Sequence, residues 1–278
     1  MKTTLKTIGI FFITYFFSFA QAGKLDSVNL VPNYSVVEKY FSEDIKDTFY
    51  VYLKLPKNYK PNEKYPVLYL LDGDIAYTMA YSIVRYLQYN NEVPDIIIAA
   101  IGYGNLINGS AENMRLRDYS ISKLNYDDIS GGADKFYDFL TGEIIPALES
   151  KYKIDDGNRS IYGHSLSGLF SIYCLMKGTN FFSYYIVSSP YTTDDLDNIL
   201  STFSKKHFEN FDGKIFISFA SEEDSVLYHE PITKIYNTIG NNILNKMNIE
   251  LCEIDKATHF SAPPISMTKG LQFIYKKN

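Results

Sequence analysis

The segment Ser160-Ile-Tyr-Gly-His-Ser-Leu-Ser-Gly168 holds the best-placed nucleophile in the chain. A short apolar strand, Ser160 to Tyr162, runs into Gly163-His164-Ser165, and Leu166 to Met176 reads as a helix directly after it. A serine on so sharp a strand-to-helix turn is exposed and strained, and it needs small neighbours. Gly163 leaves room for the turn, and Gly168 lets the helix approach the sheet. The usual pattern is Gly-x-Ser-x-Gly; here Ser167 takes the last position, with glycine one residue later. The chemistry of such a serine is covalent attack on a carbonyl carbon, which requires a base beside it. Four histidines are available. His164 adjoins Ser165, and on a tight elbow its ring is expected to project elsewhere. His207, in Lys205-Lys206-His207, reads as a solvated face, and His229, before Glu230-Pro231, as a helix start. His259 lies in Ala257-Thr-His-Phe-Ser261, a loop between a strand ending near Ile254 and the last helix.

Positioning these residues falls to alternating strands and helices. Phe49 to Leu55 alternates apolar and polar residues as a half-buried strand does, closed by Pro56. Pro66 to Leu71 and Ile96 to Ile101 are continuous apolar runs, closed by Asp72-Gly73 and by Gly102 and Gly104, and suit strands covered on both faces. Tyr184 to Val187, Lys214 to Ala220 and Ile249 to Ile254 read as further strands. Phe136 to Tyr152 carries apolar residues at helical spacing, and Leu271 to Tyr275 closes the chain. Asn105 to Gly132 is weakly patterned and reads as a loop near the site. Strands separated by helices predict βαβ units and a mostly parallel central sheet flanked by helices on both faces.

The 278 residues carry 27 basic and 32 acidic side chains, a net charge of −5, with no basic block, so nucleic acid is not an expected partner. Twenty-five tyrosines and 19 phenylalanines with no tryptophan fit a large aromatic core. Lys2 and Lys6, the apolar run Ile8 to Ala20, and small residues Ala20 and Ala22 have the layout of a secretory signal peptide. The run is shorter than the roughly 20 apolar residues of a spanning helix, so no membrane anchor is expected after cleavage. No cysteine stands at the cleavage site for a lipid anchor. The expectation is a leader over residues 1–22, one catalytic domain over 23–278, and a periplasmic or secreted address. Cys174 and Cys252 are expected to be unpaired, and no His or Cys cluster points to a metal.

Together these features describe an α/β-hydrolase fold. Its chain order is nucleophile, acid, histidine, and His259 is the histidine that fits. The acid should follow the strand Lys214 to Ala220, within Ser221-Glu222-Glu223-Asp224. The oxyanion hole needs two backbone N–H groups: one from Leu166, the other from the loop after Leu71, at Asp74 or Ile75.

The chain further resembles the esterase branch of the α/β-hydrolases that includes esterase D, the trilactone siderophore esterases and, more distantly, the mycobacterial mycolyltransferases. The residues carrying the likeness are Tyr65-Pro-Val-Leu-Tyr-Leu-Leu-Asp-Gly73, Arg115-Leu-Arg-Asp-Tyr119, Gly131-Gly-Ala-Asp-Lys-Phe136 with Phe139-Leu140, Gly163 to Leu169, Ser189-Pro190 and His259. The resemblance implies a serine esterase with a Ser–acid–His site and no cofactor, acting on a small-molecule ester. Acyl transfer or siderophore trilactone cleavage would use the same site; a binding protein that has lost the chemistry is the alternative of a different class. It also places the acid three residues past Ala220, at Glu223. Arg115 and Arg117 could hold an anionic substrate or form structural ion pairs. Siderophore esterases of the branch carry tryptophans after the Ser-Pro pair where this chain has Tyr191-Thr192-Thr193, so simple aryl esters are expected to be cleaved faster than a trilactone siderophore.

Overall fold

The computed structural model describes residues 35–108, 114–125, 127–178, 181–205, 211–242 and 248–276. The expected leader over 1–22, and His207, lie outside them.

Eight strands form one sheet: β1 (Ser35–Ser42), β2 (Asp47–Lys54), β3 (Tyr65–Leu70), β4 (Ile97–Gly102), β5 (Ile154–His164), β6 (Tyr184–Ser188), β7 (Lys214–Ala220) and β8 (Ile249–Ile254). Their order is β1-β2-β4-β3-β5-β6-β7-β8. β1 and β2 join antiparallel at one edge, and every pairing from β4 to β8 is parallel. The apolar runs β3 and β4 sit inside the sheet because both of their faces are covered. Val67, Tyr69, Ile97 and Ala99 face one layer, whereas Leu68, Leu70, Ile98 and Ala100 face the other.

The described helices are α1 (Gly73–Tyr89), α2 (Asn105–Asn108), α3 (Arg115–Tyr119), α4 (Ala133–Phe139), α5 (Ile145–Lys151), α6 (Leu166–Met176), α7 (Leu196–Lys205), α8 (Glu230–Asn242) and α9 (Ala262–Tyr275). α1 and α9 cover one face through Ala80, Val84, Met267 and Leu271. The other face is covered by α4 to α8, through residues such as Phe136, Leu148, Phe170, Phe203 and Ile235.

Three local expectations change. β5 begins at Ile154 rather than Ser160, because the turn-like Asp155-Asp156-Gly157-Asn158 is carried within a strand whose pairing with β3 shifts register between Tyr65 and Val67. The helix expected over 136–152 is interrupted by a π-turn at Leu140–Ile144. Pro146, near the start of α5, has no N–H to give the preceding turn. The stretch 105–132 contains the short helices α2 and α3. Cys174 on α6 and Cys252 on β8 are both free thiols. Among the described residues no helix is long and apolar enough to cross a membrane.

Candidate active site

The site lies at the carboxyl ends of the parallel strands, where ligands bind in open α/β sheets. Three strands that are neighbours in the sheet each run into a non-glycine residue in the left-handed region: Asp72 (φ 54°) beyond β3, Ser165 (φ 58°) beyond β5 and Ser189 (φ 40°) beyond β6. Non-glycine residues held there are strained, and such strain collects at functional sites.

Ser165 occupies the turn between β5 and α6 with ψ −118°. Its N–H donates to Ser188 O at 3.0 Å, and its carbonyl accepts from Leu169 N and Tyr191 N. The turn closes tightly enough that a Cβ on Gly163 would sit 2.1 Å from the Ser167 carbonyl oxygen. One on Gly168 would stand 3.0 Å from Pro190 Cα, so a side chain there would push α6 off the sheet. Leu166 opens α6, where its N–H has no carbonyl four residues back within the helix to bond.

Of the three consecutive acids, Glu223 turns inward. It is buried while Glu222 and Asp224 are exposed. Its Oε1 lies 2.5 Å from His259 Nδ1, and its Oε2 accepts from Ala220 N–H (2.7 Å) and Ser189 Oγ–H (3.0 Å). Burial pushes the carboxyl upward, but the bonds from His259, Ala220 and Ser189 outweigh it and hold it below the usual carboxylate range. An ionised carboxylate only accepts, so the proton of the 2.5 Å contact belongs to Nδ1, which leaves Nε2 as an acceptor. Asp224 instead caps the π-turn Ser225–His229, accepting from Val226 and Leu227 N–H.

That π-turn carries Tyr228 across the site. Its ring centroid is 5.0 Å from that of His259 and 6.2 Å from that of Tyr191. No motif in the sequence marks Tyr228. His164 also differs from expectation. Its ring does not project away but packs 4.5 Å from the His259 ring, with Nδ1 3.1 Å from Ser188 Oγ. His229 ends the π-turn just before α8, and its Nε2 lies 2.9 Å from Ala220 O.

On the β3 side, the Asp74 side chain binds Tyr52 Oη (2.5 Å) and Tyr103 N–H (2.6 Å), tying the start of α1 to the end of β4. Ile75 N–H, the other donor expected in this loop, bonds Asp72 O at 2.9 Å as α1 begins. Both arginines sit in ion pairs. Arg115 grips Asp72 with two bonds (2.6 and 3.0 Å), and Arg117 pairs with Asp118 and Asp47. Among the described residues no group of three His, Cys, Asp or Glu side chains is placed to hold a metal ion.

Burial and the neighbouring His259 depress His164 to about 4, from an ordinary value near 6.5. The folded protein therefore refuses a proton that the unfolded chain accepts. This contribution to stability is complete above pH 6.5 and is lost as the pH falls toward 4. His164→Phe, which keeps a ring against His259, is expected to flatten the fall in Tm between pH 7 and 4.5. Parallel wild-type and variant curves would contradict this.

Residues 42–233 match the Esterase family model, described as "Putative esterase". The chain belongs to the Esterase family. It is a carboxylic ester hydrolase with an α/β-hydrolase fold, in the branch that its motifs resemble. Among Esterase-family relatives, the ferri-bacillibactin esterase BesA of Bacillus subtilis is 26% identical over 246 residues, covering 81% of this chain and 84% of BesA. The apo-salmochelin esterase of Escherichia coli is 28% identical over 148 residues, 50% of this chain and 45% of that protein, so this match spans about half of it. The crystal structure of the BES protein from Bacillus cereus shares the fold, with a TM-score of 0.79 at 23% identity, over 91% of this chain and 99% of that one.

Proposed function

We propose that this esterase is an exported serine hydrolase that opens the ester bonds of a siderophore through an acyl-enzyme on Ser165. The observation that carries the mechanism is the 2.5 Å contact between His259 and the buried Glu223 beside the strained Ser165 turn. His259 Nε2 takes the Ser165 proton as Oγ attacks the ester carbonyl, then delivers it to the departing alkoxide. The N–H groups of Leu166 and Asp74 receive the developing oxyanion. Water, activated by the same histidine, frees the acid. Glu223 holds the imidazole in the Nδ1–H tautomer and stabilises the imidazolium. His164, neutral above pH 4, adds no second positive charge. The signal-like layout of residues 1–22, a positive start, an apolar run and small residues at Ala20 and Ala22, supports export to the periplasm or beyond, with a mature chain from Gly23.

The substrate part of the proposal reverses the ranking drawn from the missing tryptophans. The relatives BesA and apo-salmochelin esterase are named for siderophores. This chain presents other rings at the site: Tyr191 lies 6.2 Å from Tyr228, and Phe260 is 88% exposed beside His259. These are contiguous aromatic surfaces on which an aryl group can stack. The test is kcat/KM on purified protein for a catecholate trilactone against p-nitrophenyl esters of graded chain length. The trilactone is expected to be favoured by at least tenfold, and a preference for the simple esters would restore the opposite ranking.

A further inference from the structure

Ser167 stands where the elbow pattern usually has glycine, and its side chain is fully buried. Its Oγ accepts from His164 N–H at 2.9 Å and lies 2.6 Å from Asp72 Oδ2. The His164 carbonyl, at 2.9 Å, competes for the hydroxyl proton. The ionised carboxylate is the stronger and nearer acceptor, so Ser167 donates to Asp72.

Asp72 is itself held from the other side. Arg115 Nε binds Oδ1 and Nη2 binds Oδ2, and Nη2 also reaches His164 O at 3.4 Å. The bonds close a ring from His164 N–H through Ser167, Asp72 and Arg115 back to His164 O. This ring joins two backbone segments that the sheet alone leaves independent beyond the ends of β3 and β5. Leu166 lies between the two elbow residues of the ring. Asp74 lies two residues past Asp72, whose carbonyl accepts from Ile75 and Ala76 as α1 begins.

We propose that Ser167 is a positioning residue that sets the spacing between the two oxyanion N–H donors by bonding the elbow to the Asp72 loop. The inference rests on Leu166 and Asp74 serving as that pair. An oxyanion hole works only when both donors lie about 2.7–3.1 Å from the developing charge, and losing one donor outright costs about 10²–10³ in kcat. Loosening the link moves one donor without removing it, so the expected loss is smaller, about tenfold.

The test uses the full-length mature protein and one p-nitrophenyl ester. Ser167→Ala and Asp72→Asn are each expected to lower kcat about tenfold with KM within twofold, because ground-state binding is untouched. Asparagine tolerates the left-handed backbone at 72. Residues acting through one bond are non-additive, so the double variant should be no slower than the slower single one. A purely structural role would lower Tm without this split or this non-additivity. Ser167→Gly, restoring the usual residue of the turn, guards against a misfolded alanine variant and should show the same loss. Ser167→Ala or Ser167→Gly within twofold of wild type, or additive losses in the double variant, would overturn the proposal. Labelling wild type with a fluorophosphonate separates the two layers. If Ser165 stays unlabelled, the serine mechanism fails and this link falls with it. If Ser165 is labelled and the variants keep full kcat, the link alone fails.

Discussion

Ser165→Ala is expected to leave the fold intact and lower kcat by about 10⁴-fold or more. Without Oγ no acyl-enzyme forms, and what remains is the slow attack of water assisted by the oxyanion donors and by substrate binding. The substitution should be structurally mild. Alanine and serine have similar strain at φ 58°, and the bonds holding the turn, from Ser165 N–H to Ser188 O and from Leu169 and Tyr191 N–H to Ser165 O, belong to the backbone. Tyr228 keeps its ring contacts with His259 and Tyr191. Steady-state kinetics on one aryl ester, with far-UV circular dichroism and Tm as controls, reads the result. A folded variant keeping more than about a tenth of wild-type kcat would rule out Ser165 as the nucleophile.

Glu223→Gln carries the second largest expected effect, a fall in kcat of about 10³–10⁴-fold. The carboxylate meets three donors: His259 Nδ1–H at Oε1, and Ala220 N–H and Ser189 Oγ–H at Oε2. A glutamine amide has one oxygen. If that oxygen faces Ala220 and Ser189, the NH2 faces His259 and forces the proton onto Nε2, where the ring cannot accept from Ser165. If it faces His259, the NH2 is set against the Ala220 N–H at 2.7 Å, leaving a buried donor unpaired. Either way the charge that stabilises the imidazolium is gone. Glu222→Gln and Asp224→Asn are expected to stay within about twofold of wild type. Glu222 is exposed, and asparagine caps the π-turn as well as aspartate does. Collapse of either neighbour, with Glu223→Gln still active, would move the acid by one residue.

Much of the fold is legible in local pattern. Strands β3 and β4 announce themselves as continuous apolar runs ended by glycine, because a strand buried on both faces has no use for polar side chains. The elbow is legible because Gly163 and Gly168 sit where a Cβ would strike Ser167 O or Pro190. β1 is not legible. It is an edge strand that leaves Val36, Val37 and Phe41 exposed, so no alternation singles it out from the loops around it. The break at Leu140–Ile144 is also hidden, since apolar spacing continues across it and a single proline records it.

The order along the chain of Ser165, the acid loop and His259 was therefore determined by sequence, because glycine placement and apolar periodicity act over a few residues. Which side chains meet was decided by tertiary structure. Glu222, Glu223 and Asp224 have nearly the same chemistry, and Glu223 is turned inward by Ala220 N–H at the end of its own strand and by Ser189 and His259, which arrive from two other segments. His164 packs on His259 across 95 residues of chain, and Asp72 meets Arg115 and Ser167 across 43 and 95. Such pairings depend on how adjacent parallel strands stack their ends, a register set by the whole sheet.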